Sequence, residues 1–467
     1  MSETTDTRST ATRRPVTERI KTIRIPQKLR NLELGMLIIA CLIAAAAIGL
    51  VQLGALGHLD YEVIALSGAI SVLVLTLHVI LRFVAREADP FILPIVTVLN
   101  GLGIAEIYRL DIHYGLTGWN SNAVKQVVWA LLAVGVAAVV LIVVRNHRAL
   151  FRYTYLFGLA TFVLLLLPFV PGLGIVTNGA RIGVGIPGVF TFQTGELAKI
   201  TLAIFFAGYL VRNRDSLTLV GRKLIWWRLP RMRDLGPVLV FWLLSMGVIV
   251  FQRDLGTALL YFGMFLAMIY IATGRWSWVV IGLGLFLGGA YAASRSLSYV
   301  HNRFENWLDP FTQKQYDLVG GSGQLVQGLF GMANGGMTGT GLGQGMPWYT
   351  PLAQSDYIVA SLGEELGLAG MFIILCLYLL FVARGLRIGF AGQDDFGRLL
   401  GAGLSFVVAL QVFVVVGGLT RVIPLTGLTA PFLAAGGSSL LANWIIVALL
   451  LRLSDSVRNQ PRLVVQQ

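Results

Sequence analysis

The chain has 467 residues, of which 56% are hydrophobic and 13% charged, with a mean hydropathy of +0.76. That charged share is about half the ~25% of an ordinary soluble domain, which excludes a soluble globular protein. The net charge of +13 could suggest nucleic acid, but the basic residues fall in alternate loops between apolar runs, as the positive-inside rule requires, so the expected contact is with anionic membrane lipids and no nucleic acid.

Apolar runs near the ~20 residues that cross a bilayer recur along the chain. Lipid-exposed backbone must satisfy its own hydrogen bonds, so these runs are helices; the ~10-residue alternation of a β-barrel is not seen. Residues 1–33 form a basic cytoplasmic tail with Arg13, Arg14, Arg19, Lys21, Arg24, Lys28 and Arg30. Because polar residues precede the first apolar run for so long, no cleavable signal peptide is expected. Spans follow at about 34–56, 62–84, 90–108, 124–144, 151–170 and 193–211. The loop after them holds Arg212, Arg214, Arg222, Lys223, Arg228, Arg231 and Arg233 with Trp226 and Trp227, and reads as an amphipathic piece lying on the membrane.

The apolar stretch 237–273 is interrupted by Gln252-Arg253-Asp254 and Gly256 and reads as two spans. The next span, about 276–297, carries Gly284 and Gly288, a spacing suited to close helix packing. A long non-apolar loop, about 298–355, holds eleven glycines between Gly320 and Gly345. Spans at about 356–383, 398–420 and 430–451 complete the chain, and 454–467 is a short tail. Twelve spans put both termini in the cytoplasm and the long loop, with Asp356, on the outer face. Cys41 and Cys376 lie inside apolar runs, which excludes a disulfide framework, and the five histidines show no metal-ligand spacing.

Acidic residues in such a chain are costly to place and point to function. Asp356 has two readings, a cap for the helix that follows or a chemical group. At 100° per residue Asp356, Ala360, Gly363, Gly367 and Gly370 share one helix face, which would leave a groove for a partner helix or a long, thin ligand. Glu364 lies beside this stripe and Glu365 opposite it, and a buried strut is the commoner role for such residues. Glu196 and Lys199 are one turn apart and can pair, as an interfacial charge pair or as part of a site. Arg181, in NGAR, could grip phosphate bidentately. Gln252-Arg253-Asp254 could be only a solvated turn. The glycine-rich loop lacks GxxxxGK[ST] order and follows no strand, which excludes a nucleotide loop. An oxygen-ligated divalent cation, Mg or Mn, on Asp356 is left open.

Seven segments together resemble the SEDS proteins, the RodA/FtsW/SpoVE group. They are NGAR (178–181), FQTGELAK (192–199), QRDLGT (252–257), WLDP (307–310), GGMTGTGLGQG (335–345), SDYIVASLGEELG (355–367) and PLTGLTAPFLAAGGSS (424–439), in the family's order over about 90–453. The chain departs from the family pattern at Thr194-Gly195, Ile182, Gln354-Ser355, Ala434-Ala435 and Val415, while the acidic and basic positions are kept.

The resemblance implies an all-α polytopic membrane protein: a ten-helix core at 90–453, two additional N-terminal helices at 34–89 as in the actinobacterial RodA branch, and a large extracellular loop before the tenth helix. It implies a peptidoglycan glycosyltransferase in the cytoplasmic membrane that polymerises lipid II for cell elongation and shape. The acceptor GlcNAc 4-hydroxyl would attack the anomeric carbon of the donor MurNAc with inversion, giving a β-1,4 link. Asp356 would be the general base; Arg181, Lys199, Glu196 and Arg303 would bind substrate; and Asp254, Glu364 and Glu365 would support the network. The implied partners are a class B penicillin-binding protein and the elongation machinery. No SxxK-bearing transpeptidase domain is visible in the sequence. A lipid II flippase, a structural scaffold and the division paralogue FtsW remain as alternatives.

Overall fold

The computed structural model describes residues 29–177, 180–186, 190–215, 223–224, 227–228, 243, 247, 250–318 and 320–459. The basic N-terminal tail before Leu29, most of the basic loop after Arg214, most of the expected span at 237–250 and the last residues of the C-terminal tail lie outside the described residues. The chain is a mostly helical, multi-pass membrane protein. Ten of the described helices are long and apolar enough to cross a bilayer, and a shorter apolar helix covers 154–169.

Two N-terminal helices, α1 (Leu29–Leu56) and α2 (Tyr61–Val84), pack on α3 (Ile92–Tyr114) and α4 (Asn122–Val143). A single turn, α5 (Arg148–Arg152), leads to α6 (Thr154–Leu166), which packs on α7 (Thr194–Arg212). Then come α8 (Leu255–Thr273) and α9 (Trp276–Ser296), with α9 at the periphery against α8. α13 (Ile358–Ala391), α14 (Asp395–Leu419) and α15 (Gly437–Arg458) complete the bundle: α13 and α8 lie on α14, and α15 lies on α4. At the far end of the bundle Asp89 accepts from Arg458 Nη2 at 2.9 Å and from Arg384, joining the start of α3 to the later halves of α13 and α15.

Three segments differ from the sequence reading. Between the expected spans 151–170 and 193–211, in a chain read as all-α, β1 (Gly174–Thr177), β2 (Ala180–Ile186) and β3 (Phe190–Gln193) form an antiparallel sheet in that order, and β3 runs straight into α7. Small residues alternating with Ile and Val make this a strand pattern short enough to be missed. The loop 298–355 is not structureless. It contains α10 (Ser298–Leu308), α11 (Gln313–Asp317) and α12 (Gly323–Gly335).

The last expected span starts at Gly437, not at 430. The chain between α14 and α15 instead dips into the bundle without helix, burying Ala430, Phe432, Leu433 and Ala434. Irregular backbone is tolerated at that depth only where protein satisfies it. Gln411 Nε2 donates to Thr429 O at 2.9 Å, Gln126 Nε2 to Ala434 O at 3.1 Å, Arg303 Nη1 to Leu425 O at 3.0 Å and the Tyr378 hydroxyl to Pro431 O.

Candidate functional site

α7, α8, α13 and α15 all begin at one end of the bundle, and the re-entrant segment 420–436 runs among their N-termini. Asp356 sits there, in the turn before α13. The N-cap of that helix is Tyr357, so Asp356 is not its cap. The carboxylate is half-buried beside Gly427, where an added Cβ would stand 3.7 Å from Oδ2. It has no hydrogen-bond or ion-pair partner among the described residues. Burial lifts its pKa from the ordinary carboxylate value to about 6; the Arg303 guanidinium opposes that rise and the Asp254 carboxylate adds to it.

The re-entrant segment connects Asp356 to the other acids. Gly256, in the first turn of α8, packs so closely on Leu428 that an added Cβ would come within 2.6 Å of its Cγ. Asp254 caps α8, accepting from Thr257 N at 3.0 Å and Thr257 Oγ1 at 2.6 Å. Its neighbour Gln252 is buried and donates to Leu165 O at 2.6 Å, so the QRD tip is not a solvated turn. The Tyr261 hydroxyl donates to Gly195 O at 2.6 Å and ties α8 to the start of α7.

On α7, Lys199 Nζ lies 2.6 Å from Glu196 Oε2 and donates to Gln411 Oε1 at 3.0 Å and Asn443 Oδ1 at 3.2 Å. Lys199 is 1% exposed, and these partners surround its ammonium, so it is placed as a strut between α7, α14 and α15. Arg303, on α10, reaches over the re-entrant segment to Leu425 O. Arg181 lies exposed on β2 opposite Val176, with no ion-pair partner among the described residues. Asn178 and Gly179 of the same motif lie outside the described residues.

Glu364 and Glu365 do a different job. The expected groove is not open at Gly363 and Gly367, where Met332 of α12 and the chain's own glycine-rich loop fill it; at Gly370 the nearest side chain is Leu366 of α13 itself. At Gly367 α13 breaks, with φ 66° and ψ −173°, and an added Cβ would meet Gly339 N at 2.2 Å, so only glycine fits. The freed carbonyls of Glu364 and Glu365 each accept at 3.0 Å from Thr340 N and Gly341 N, while Leu368 N and Ala369 N donate to Gly336 O and Met337 O. The side chains add to this. Met346 N donates to Glu364 Oε1 at 3.0 Å and Gly343 N to Glu365 Oε2 at 2.9 Å. Arg109, buried on α3, donates Nε to Glu365 Oε1 at 3.2 Å and Nη2 to Gly345 O at 2.9 Å. Glu365 therefore does not point away from the working face, as helical geometry alone suggested; both acids face the loop.

Arg109, Gln411, Asn443 and the buried Glu106 were missed by the sequence reading. Each is a polar residue inside an apolar span, and that signal alone could have flagged them. Among the described residues no group of three or more His, Cys, Asp or Glu side chains is placed to hold a metal. Asp356 offers a single carboxylate in the field of the Arg303 guanidinium, so the donor set among the described residues does not make a built metal site.

Residues 90–459 match a family model described as "Cell cycle protein", FtsW/RodA/SpoVE. The chain is 44% identical over 436 residues to the peptidoglycan glycosyltransferase RodA of Mycobacterium tuberculosis, covering 93% of this chain and 92% of that one. It is 32% identical over 379 residues to the stage V sporulation protein E of Bacillus subtilis, covering 79% and 98%. Among solved structures it resembles the rod shape determining protein RodA of Thermus thermophilus, with TM-score 0.54, 23% identity and coverage of 80% and 98%. A chain from a study of polymerization and crosslinking by a peptidoglycan synthase complex gives TM-score 0.55, 24% identity and coverage of 85% and 98%.

Proposed function

The chain belongs to the FtsW/RodA/SpoVE family, and from that premise we propose how its site carries out transfer between two lipid-linked sugars. It is a peptidoglycan glycosyltransferase of cell-wall synthesis, a lipid II polymerase. Asp356 is the general base. The observation that carries this is its unpartnered, half-buried carboxylate, held near a pKa of about 6 at the convergence of four helix N-termini. A base poised near the working pH takes a proton most effectively.

The carboxylate removes the proton from the acceptor GlcNAc 4-hydroxyl as that oxygen bonds to the anomeric carbon of the donor MurNAc. The bond from that carbon to the pyrophosphate oxygen breaks, its electron pair leaves with undecaprenyl pyrophosphate, and inversion gives the β-1,4 link. Helix N-termini and a half-buried guanidinium favour the negative charge that gathers on the leaving group. We assign that contact to Arg303, and to Arg181 for the outer part of the substrate. Glu196, Lys199 and Asp254 position α7, α8 and α15; Glu364 and Glu365 hold the glycine-rich loop. The site end of the bundle is the outer face, with both termini cytoplasmic, and the partner is a class B penicillin-binding protein of the elongation machinery that crosslinks the new strands. The positive-inside count and the RodA relatives support this orientation and elongation role.

Gel analysis of the glycan made by purified protein from labelled lipid II tests the reading. Oligomeric product is expected. Translocation of lipid II in sealed vesicles with no glycan product would instead make the protein a flippase.

A further inference from the structure

The family match starts at residue 90, so α1 and α2 lie outside it, yet α1 touches the transferase site's supporting loop. Gly54 of α1 and Gly343 of the loop meet backbone to backbone. A Cβ on Gly54 would stand 2.4 Å from Leu342 O and 3.2 Å from Gly343 Cα, and one on Gly343 would stand 2.4 Å from Val51 O. The contact is possible only without side chains on both partners, and Gly343 is further restricted by φ +84°. Gly343 is also the residue whose amide donates to Glu365 Oε2, the acid fastened to Arg109. From there the chain runs through Gly345, held by Arg109, and Met346, held by Glu364, to the turn carrying Asp356.

α1 is fixed at this height by Gln52, two residues before Gly54. Gln52 is fully buried, donates to the Tyr108 hydroxyl at 3.0 Å and accepts from Asp60 N at 2.8 Å; Tyr108 in turn donates to Glu62 Oε2 at 2.8 Å. The same α3 turn therefore presents Tyr108 to α1 and α2 and Arg109 to the loop. A shift of α1 along its axis would press directly on Leu342 and Gly343.

We propose that α1 is a positioning element for glycosyl transfer: Gly54, through Gly343 and Glu365, sets the glycine-rich loop and with it the Asp356 turn. This rests on the lipid II polymerase reading.

The test is lipid II polymerisation by purified wild type, Gly54→Ala, Gln52→Met and, as a control on the same helix, Gly35→Ala, whose added methyl meets nothing within 4 Å. Rates are taken per folded molecule, with hydrogen exchange followed at Thr340, Gly341 and Gly343. For Gly54→Ala we expect kcat to fall about tenfold or more, KM for lipid II to stay within about twofold, and those three amides to exchange faster. Gly35→Ala should match wild type. Gln52→Met removes both hydrogen bonds without a clash, and should give the same pattern more weakly if Gly54→Ala does not fold. Unchanged kcat per folded molecule in the variants that fold, with or without faster exchange, overturns the proposal. A wild type that makes no glycan from lipid II overturns the polymerase reading itself, and the positioning role with it.

Discussion

Lys199 Nζ and Glu196 Oε2 stand 2.6 Å apart on one turn of α7, both enclosed where α14 and α15 meet it. Lys199→Met would leave Glu196 as a buried carboxylate without its cation. Removing one member of a buried pair costs roughly 3–5 kcal/mol, far more than removing both. Lys199→Met is expected to lower the detergent-solubilised unfolding temperature sharply, and the double variant with Glu196→Gln to recover part of it. Strictly additive losses in that cycle would mean the pair is not coupled.

Asp356→Asn should reduce polymerisation by roughly 10²–10⁴-fold, the scale of a general base. Its effect on stability runs the other way. The folded pKa of about 6 lies above the unfolded value of 3.8, so the carboxyl's contribution is full below 3.8 and is lost as pH rises through 6. An amide has no such loss. At neutral pH the variant is therefore expected to melt no lower than wild type while polymerising lipid II that much more slowly; a variant that is inactive because it is unfolded would melt lower.

The rate should depend on pH in the matching sense. A base must be ionised, and kcat/KM reports the free enzyme, so kcat/KM is expected to rise with pH through about 6 and level above it. Arg303 holds that pKa down and Asp254 pushes it up. Arg303→Gln should move the rising limb to higher pH. Asp254→Asn, which keeps an oxygen to cap α8, should move it lower. A limb that stays fixed in both variants would assign it to another group.

Gly367→Ala is expected to be among the most damaging glycine changes. It forces a side chain into a backbone region nearly confined to glycine, at a strain of about 1–3 kcal/mol, and drives its Cβ to 2.2 Å from Gly339 N. The amides of Thr340 and Gly341 should lose exchange protection and polymerisation should fall. Gly284→Ala, where an added methyl meets nothing, serves as the comparison. Equal activity and stability in the two would remove the kink from the site's support.

Much of this protein was legible one residue at a time. Apolar runs of bilayer length produce helices wherever the chain lies, because hydrocarbon leaves the backbone no other partner. A carboxylate beside such a run is costly enough to mark a site, which is how Asp356, Asp254 and Glu196 stood out. Periodicity went wrong where it assumed an uninterrupted helix. The stripe ending at Gly370 looked like a groove, but the break at Gly367 frees two carbonyls, and the nearest backbone able to satisfy them is the chain's own loop.

Only the folded chain could decide which side chains meet across the bundle. Lys199 finds its acceptors on Gln411 and Asn443, and Glu365 finds Arg109, all more than two hundred residues away in sequence. Spacing along one helix carries no information about such pairs. They are selected by the cost of leaving a buried charge unpaired, which is settled only when the helices pack.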